Sequence, residues 1–148
     1  MPFVNSHHRR IYYERHGQGP AVLLCHGAGS NAATWWQQLP TFAARHPWIT
    51  MDIRCFGRSA APLKEFSLDN FVADVLAILD REEVQRVTHV GQSLGGFIGL
   101  QLALWHPDRV AAFVACDSSM ALDHPVLLDT LAKRQISHQA VSIEPRPL

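Results

Sequence analysis

Apolar runs and amphipathic stretches alternate along most of this chain. Residues 21–25 and 110–116 are short, continuous apolar runs, which is the pattern of parallel strands buried on both faces, and residues 87–90 form a short run rich in β-branched residues. Residues 68–79 carry apolar side chains at three- and four-residue spacing, and Ser67 before them is suited to cap a helix. Strands and helices that alternate at these lengths predict an α/β protein, a parallel sheet with helices on both faces.

The remaining segments extend the same alternation. Residues 3–5 and 10–15 predict a hairpin or meander, and residues 48–53 predict a further strand. Residues 34–45 predict a helix that ends before Pro47, because proline lacks an amide hydrogen. Near the carboxyl terminus, Asp123 and Pro125 are suited to begin a last helix that runs to about residue 135.

Composition narrows the functional classes. The chain has 148 residues, enough for one domain, and its 13 basic and 13 acidic residues balance, which argues against a nucleic-acid or membrane-surface partner. No amino-terminal signal core and no membrane-spanning stretch is found, so we expect a cytoplasmic protein. Of the three cysteines, Cys25 and Cys116 lie in apolar runs and are predicted core residues. The nine histidines are scattered, which predicts no metal site.

A G-x-S-x-G sequence at residues 91–95 stands between a predicted strand and a predicted helix. In that context the sequence predicts a nucleophile elbow, a sharp turn that exposes the hydroxyl of Ser93 at the carboxyl end of the strand. The glycines would permit the close approach of strand and helix that the turn requires. The alternative is a glycine-rich turn with an idle serine.

Three motifs follow one another in the chain: H-G-x-G at residues 26–29, D-x-R-x-x-G-x-S at residues 52–59, and G-x-S-x-G-G at residues 91–96. In this order they resemble the amino-terminal half of an α/β-hydrolase, in the branch of esterases, enol-lactonases and carbon–carbon hydrolases. The resemblance covers about residues 10–120. Cys55 departs from it, because relatives often have a second glycine there, and this difference is expected to reshape the loop without touching the nucleophile.

The resemblance implies roles for particular residues. Ser93 is the expected nucleophile, and the backbone amides of Ala28 and Leu94 are the expected oxyanion hole. His26 is read as structural rather than as the catalytic base. Asp52 and Arg54 are read as bracing their own loop, rather than as an acid and an anion clamp.

The rest of the catalytic machinery is less evident. In this family an acid and then a histidine follow the serine, but only 55 residues follow Ser93. Asp117 is the best candidate acid, since it follows a strand at the same sheet edge, and its alternative role is in a loop or cap hinge. His106 is expected to lie out of reach, and His124 and His138 carry no signature of a base. No catalytic histidine is therefore assigned.

The resemblance also implies the domain organisation. Residues 1–120 would form the amino-terminal part of an α/β-hydrolase domain, and residues 121–148 the start of a cap helix or an irregular tail. We interpret the chain as an incomplete fold that lacks the last strands and most of the cap. Residues 110–116 would then form an apolar edge strand, which favours self-association.

Two functional classes remain open. In the first, the chain is a serine hydrolase that acts without a cofactor on a small-molecule ester, lactone or thioester through an acyl-enzyme at Ser93, truncated and inactive alone unless a base is supplied. Carbon–carbon cleavage and cofactor-free haloperoxidase activity are the next candidates within this class. In the second, the chain is a non-catalytic binding or scaffold protein that keeps the fold without a complete triad. Whether the chain is an enzyme is left open at this point.

Overall fold

A computed structural model describes residues 2–119. In this part of the chain six strands form one sheet in the order β1-β2-β4-β3-β5-β6. The strands are β1 (Phe3–Ser6), β2 (Arg9–His16), β3 (Val22–Cys25), β4 (Trp48–Met51), β5 (Val87–Gln92) and β6 (Val110–Cys116). The α-helices are α1 (Leu39–Ala43), α2 (Leu68–Arg81) and α3 (Leu94–Trp105).

The sheet is mixed. Strands β4, β3, β5 and β6 are parallel, as the apolar runs predict, whereas β1 and β2 are antiparallel additions at one edge. The predicted amino-terminal hairpin is confirmed, and His7 and His8 in its two-residue turn have φ of 44° and 64°. Positive φ at both central residues is the conformation that matches the twist of two hairpin strands.

Alternate residues of the parallel strands point to opposite faces of the sheet. Leu23 and Cys25 of β3 belong to a core that includes Phe71 of α2 and Ile98 of α3, so these two helices cover one face. On the other face, Leu24 lines a cavity together with residues from the segment that follows β3. Helices therefore lie on both faces of the sheet, and the carboxyl ends of β3, β4 and β5 meet at one edge.

The segment between β3 and β4 differs from the prediction. A continuous helix over residues 34–45 was expected, but residues 32–35 form a 3₁₀ helix and α1 spans only Leu39–Ala43. Pro40 explains the break, because its missing amide hydrogen is tolerated in the first turn of α1 but not inside a longer helix. By contrast, α2 begins after Ser67, whose hydroxyl accepts a hydrogen bond from the Asn70 amide, as predicted.

Strand β6 is an edge strand within the part of the chain that the structure describes. It pairs with β5 on one side, and no other strand within residues 2–119 pairs with it. Val114 is 46% exposed, and Cys116 is half-buried rather than a core residue, because the edge position leaves its side chain without full cover. The predicted last helix from Asp123 and the tail lie outside the described residues.

Candidate active site

The backbone of Ser93 forms a strained turn between β5 and α3. Its φ of 49° and ψ of −110° lie in a region that residues with a side chain rarely adopt. The Ser93 amide donates to the Cys116 carbonyl (3.1 Å), and the Ser93 carbonyl accepts from the Gly96 amide (2.9 Å) and from the Ser118 hydroxyl (2.9 Å). The surrounding strand ends thus hold Ser93 in the geometry of a nucleophile elbow.

Two glycines are required because backbone atoms approach too closely for a side chain. A Cβ atom at Gly91 would lie 2.1 Å from the Gly95 carbonyl oxygen, and one at Gly95 would lie 2.2 Å from the Cys25 carbonyl oxygen. Both distances are far inside van der Waals contact, and the obstructing atoms belong to the backbone. The elbow is therefore built by the contact of α3 with β5 and with the end of β3.

The loop after β3 lies directly beside the elbow. The Gly95 amide donates to the His26 carbonyl (3.1 Å), and the Gly27 amide donates to Oε1 of Gln92 (3.1 Å). Neither the Ala28 amide nor the Leu94 amide donates to another residue within positions 2–119. Unpaired backbone amides beside a serine hydroxyl are the donors that an oxyanion hole requires.

His26 is a structural residue. Its side chain is fully buried, Nε2 accepts from the Ile53 amide (2.9 Å), and Nδ1 lies 2.6 Å from the Gly27 carbonyl oxygen. Because Nε2 accepts, Nδ1 carries the proton and donates to Gly27. Burial lowers the pKa of His26, an effect that the bond to Gly27 opposes. With both ring nitrogens occupied, His26 has no free nitrogen to receive a proton from Ser93.

Asp52 holds the loop of residues 52–59, called here the bracing loop. One carboxylate oxygen accepts from the Ala32 amide (2.7 Å), and the other accepts from the amide and from Nε of Arg58 (2.8 and 3.1 Å). Gly57 closes the turn with φ of 51°, and a Cβ there would lie 2.4 Å from Oδ2 of Asp52. Asp52 therefore braces the loop, as the sequence suggests.

Arg54 braces more than its own loop. Its side chain is 1% exposed and binds both carboxylate oxygens of Asp74, one of Glu65 (2.9 Å) and the Ser6 carbonyl (3.2 Å). The expectation of local bonds was therefore too narrow, and Asp74 is fully buried although it is a charged residue of α2. Hydrogen bonds from Arg9 and Arg54 lower the pKa of Glu65 to about 2.

Cys55 occupies a backbone conformation that suits glycine. Its φ is 74°, in the left-handed region, where relatives of the resembled family often have glycine. The thiol is partly exposed and contacts the Pro62 carbonyl at 3.6 Å. The departure from the family pattern therefore strains the bracing loop locally.

The candidate acid and one of the candidate histidines lie within the described residues. Asp117 is exposed, has φ of 46°, and follows Cys116, whose carbonyl accepts from the Ser93 amide, so it stands at the sheet edge predicted for it. His106 ends α3 at the end opposite Ser93, as expected. His124 and His138 lie outside the described residues.

His89 is a buried histidine that sequence reasoning did not single out. It lies in β5 with no exposure, and its Nε2 donates to the Gly95 carbonyl (2.9 Å) at the first turn of α3. Burial lowers the pKa of His89 to about 4, so the ring is neutral near pH 7. Its position inside an apolar strand was the only signal, and that position also fits an ordinary core residue.

A cavity of about 480 Å³ lies against the sheet. It is lined by Leu24, Val90 and Trp35, and also by Gln92 and Cys116, which are the last residues of β5 and β6. Trp35 is 7% exposed whereas Trp36 is 67% exposed, so the first packs against the sheet and the second faces solvent. No group of three metal-ligating side chains occurs among residues 2–119, and no helix within that range is long and apolar enough to cross a bilayer.

Comparison with known proteins gives consistent matches. A family model described as the α/β hydrolase fold matches residues 20–137. A putative carbamate hydrolase, RutD, from Azorhizobium caulinodans is 36% identical over 110 residues, which are 74% of this chain and 42% of the relative. A pimeloyl-[acyl-carrier protein] methyl ester esterase from Aeromonas hydrophila is 39% identical over 110 residues, with the same two coverages, 74% and 42%.

Solved structures agree with these matches. The structure of Est816, described as an N-acyl homoserine lactone degrading enzyme, superimposes with a TM-score of 0.76 and 36% identity, over 79% of this chain and 45% of that one. The chain thus spans about two fifths of the length of the curated relatives it matches.

Proposed function

The chain belongs to the α/β-hydrolase fold family, and from this premise we propose that it carries the nucleophile half of a serine hydrolase active site. In this proposal Ser93 attacks the carbonyl carbon of a small-molecule ester, lactone or thioester and forms an acyl-enzyme. The amides of Leu94 and Ala28 bind the oxyanion, and Asp117 is the acid of the triad. No cofactor takes part.

The strained backbone of Ser93 carries this proposal. A φ of 49° and a ψ of −110° are unfavourable for serine and persist because Gly91 and Gly95 allow β3, β5 and α3 to pack around the turn. The amides of Leu94, the residue after Ser93, and of Ala28 are unpaired within residues 2–119. An idle serine in a simple turn would need neither this strain nor unpaired amides beside it.

The proposed chemistry is acyl transfer in two steps. First, the Ser93 Oγ–H bond breaks as Oγ bonds to the carbonyl carbon, and the proton passes to a histidine base. The oxyanion collapses, the bond to the leaving group breaks, and the base returns the proton to that group. Second, water attacks the acyl carbon with the same base, which releases the acid and regenerates the Ser93 hydroxyl.

The base is the missing part of the site. His26 has no free ring nitrogen, and His89 is fully buried and donates to the Gly95 carbonyl. We therefore place the base outside residues 2–119, with His124 and His138, or a residue of a neighbouring copy, as the candidates within this sequence. Both positions are testable by substitution with Gln.

The proposed substrate class is a carbonyl carbon bonded to a heteroatom leaving group. The names of three relatives describe such chemistry: carbamate hydrolysis, methyl ester hydrolysis and lactone degradation. Serine rather than aspartate at position 93 argues against the epoxide and haloalkane chemistries, which use a carboxylate nucleophile in this fold.

An initial-rate assay tests this proposal. The purified chain is given a p-nitrophenyl ester, a thioester and an acyl lactone, with Ser93→Ala as the inactive variant and Ser67→Ala, which removes the cap of α2, as the serine control. We expect turnover of at least one substrate by the wild-type and Ser67→Ala chains and none by Ser93→Ala. Equal turnover by wild-type and Ser93→Ala chains would refute the nucleophile.

The second candidate is a non-catalytic binding or scaffold protein. The observation in its favour is that neither buried histidine within residues 2–119 is bonded to Ser93: both ring nitrogens of His26 are occupied, and Nε2 of His89 donates to the Gly95 carbonyl. Under this alternative, the chain hydrolyses none of the substrates, although circular dichroism shows that it is folded and a titration shows that it binds an acyl ligand.

We also propose that a second copy of the chain pairs with the edge of β6 that no strand within residues 2–119 occupies. The strand is seven residues long, has no charge or proline, and exposes Val114, so it lacks the usual protection of an edge. Antiparallel pairing centred on Phe113 would place Arg109 of one copy opposite the position of Asp117 in the other. Sedimentation velocity should give a dimer that Val114→Lys dissociates, and a wild-type monomer would contradict this.

A cytoplasmic location is part of the proposal as well. Its support is that Cys25, Cys55 and Cys116 are all free thiols, as is usual in a reducing compartment. Localisation of a tagged chain by cell fractionation tests it, with recovery in the cytosolic fraction as the expected result and recovery in an oxidising compartment as the contrary one.

A further inference from the structure

Two successive peptide planes lead into the Ala28 amide. The first contains the His26 carbonyl and the Gly27 amide, and both of its polar atoms are bonded: the carbonyl accepts from the Gly95 amide, and the Gly27 N–H donates to Oε1 of Gln92. One partner belongs to α3 and the other to the last residue of β5. The elbow itself therefore holds this plane from both sides.

The second plane contains the Gly27 carbonyl and the Ala28 amide. Its carbonyl accepts from Nδ1 of His26 (2.6 Å) and from the Ser30 amide (3.3 Å). Because a trans peptide is planar, with N–H and C=O pointing in opposite directions, fixing the carbonyl also fixes the direction of the Ala28 N–H. The orientation of the second plane depends in turn on the first through the two dihedral angles of Gly27.

Gly27 needs these hydrogen bonds because it is the flexible residue between the two planes. Glycine has more backbone freedom than any other residue, so its neighbouring planes turn easily unless hydrogen bonds hold them. A Cβ at this position would lie 2.9 Å from Oε1 of Gln92 and 3.3 Å from the Ser93 Cβ. The loop is thus packed tightly against both residues, and its rigidity comes from partners rather than from its own sequence.

We propose that Gln92 is a positioning residue that aims the Ala28 amide at the oxyanion, by holding the Gly27 N–H and thereby the two peptide planes. The inference rests on the proposed function of Ser93 and adds a residue to it. Gln92 suits the role because its side-chain oxygen accepts without carrying a negative charge, which would oppose the oxyanion. Its side chain also lines the cavity that Leu24, Val90 and Trp35 border.

Two variants remove the hydrogen bond in different ways. Gln92→Met keeps the length of the side chain without an acceptor, and Gln92→Asn keeps the amide but is one methylene too short. Gln92→Glu restores an acceptor oxygen at the original distance. Gln38→Met is the matched control, because Gln38 lines the same cavity and is not part of the oxyanion loop.

Two measurements are made on each full-length variant. Hydrogen exchange of the Gly27 amide, followed by NMR, reports the hydrogen bond without any need for activity. The kinetics of Ser93 labelling by a small fluorophosphonate report the oxyanion hole. Phosphonylation forms the Oγ–P bond, releases the Oγ proton and expels fluoride, and negative charge builds up on the phosphoryl oxygen in the transition state. A fit of labelling rate against reagent concentration separates the maximal rate constant from the half-saturating concentration.

We expect Gly27 exchange to accelerate about tenfold in Gln92→Met and Gln92→Asn, and to stay near the wild-type rate in Gln92→Glu and Gln38→Met. The maximal labelling rate constant should fall about tenfold in the first two variants, with little change in the half-saturating concentration, since only transition-state binding is lost. A purely structural role would not separate these two parameters.

The contrary outcomes are distinguishable. Unchanged Gly27 exchange, or faster exchange with an unchanged labelling rate, overturns the inference while leaving Ser93 as the nucleophile. If the reagent does not label Ser93 in a folded wild-type chain, the proposed function is overturned and, with it, the role of Gln92.

Discussion

The elbow and the bracing loop adjoin the same strand ends, but different forces hold them. At the elbow, backbone packs on backbone: Gly91 and Gly95 leave no room for a Cβ, and their neighbours are carbonyl groups. In the bracing loop, charged side chains hold the backbone, since Asp52 accepts three hydrogen bonds and Arg54 binds two carboxylates.

This difference predicts how each region fails. A backbone contact cannot relax, so a substitution at the elbow acts through steric overlap and should have a large effect whatever the pH or salt. A charged contact fails when one partner is removed or changes protonation, and the cost depends on how deeply the remaining partner is buried. The four predictions below test this distinction.

The largest effect is expected for Gly95→Ala. The new Cβ would lie 2.2 Å from the Cys25 carbonyl oxygen, so β3 and α3 must separate, and we expect a loss of more than about 4 kcal/mol in the free energy of unfolding. Urea unfolding followed by tryptophan fluorescence measures it. Gly27→Ala is the control, because the atom nearest to its Cβ would be Oε1 of Gln92 at 2.9 Å, which is the end of a flexible side chain. Similar losses in both variants would contradict the backbone explanation.

The next effect is that of Arg54→Met, which leaves the buried carboxylate of Asp74 without its cation. We expect a loss of about 3 to 5 kcal/mol in urea unfolding at pH 7. The double variant with Asp74→Leu should recover much of it, since the unpaired charge is gone. Arg9→Met, which removes an exposed ion pair with Glu65, should cost far less. If the double variant is no more stable than Arg54→Met, the buried charge is not the cause.

The third effect is a dependence of stability on pH that comes from His89. Its pKa is about 4 in the folded chain and about 6.5 when unfolded, so the unfolded state binds more protons between these values. Stability should therefore fall as the pH drops from about 6.5 to 4, by about 3 kcal/mol from this group. His89→Gln, which keeps a donor for the Gly95 carbonyl, should flatten the curve. Parallel wild-type and variant curves would refute the assignment.

The smallest effect is a gain. Cys55→Gly removes a side chain from a left-handed conformation with φ of 74° and should raise the free energy of unfolding by about 0.5 to 1 kcal/mol after the entropy of glycine is subtracted. Cys55→Ala keeps the Cβ and should give no gain, which separates strain from loss of the thiol. Thermal unfolding measures both. A loss of stability in Cys55→Gly would show that the loop is not strained there.

Local sequence signals predicted most of the framework. The bounds of β6, the cap of α2 at Ser67 and the turn at Ser93 each follow from a short pattern whose cause lies within a few residues. The predicted helix over residues 34–45 is wrong because Pro40 interrupts it. That information was present in the sequence.

The hydrogen-bond partners of the site residues were harder to predict from the sequence. Gln92 binds Gly27, 65 positions away, and Arg54 binds Asp74, 20 positions away, across elements whose docking no local pattern specifies. The apolar spacing along α2 gives no signal that Asp74 is buried, because the arginine that pairs with it comes from a separate loop. Asp117 as the acid, and the amides of Ala28 and Leu94 as the oxyanion hole, stay predictions.

The most direct test of the central claim is the intact mass of the folded chain after exposure to a fluorophosphonate. The account predicts one adduct, its absence in Ser93→Ala, and its retention in Ser67→Ala. This pattern of labelling would show that Ser93 is activated and that a base reaches it. His124→Gln and His138→Gln would then be the next variants. A folded sample that gains no mass, or gains the same mass in Ser93→Ala, would contradict the account.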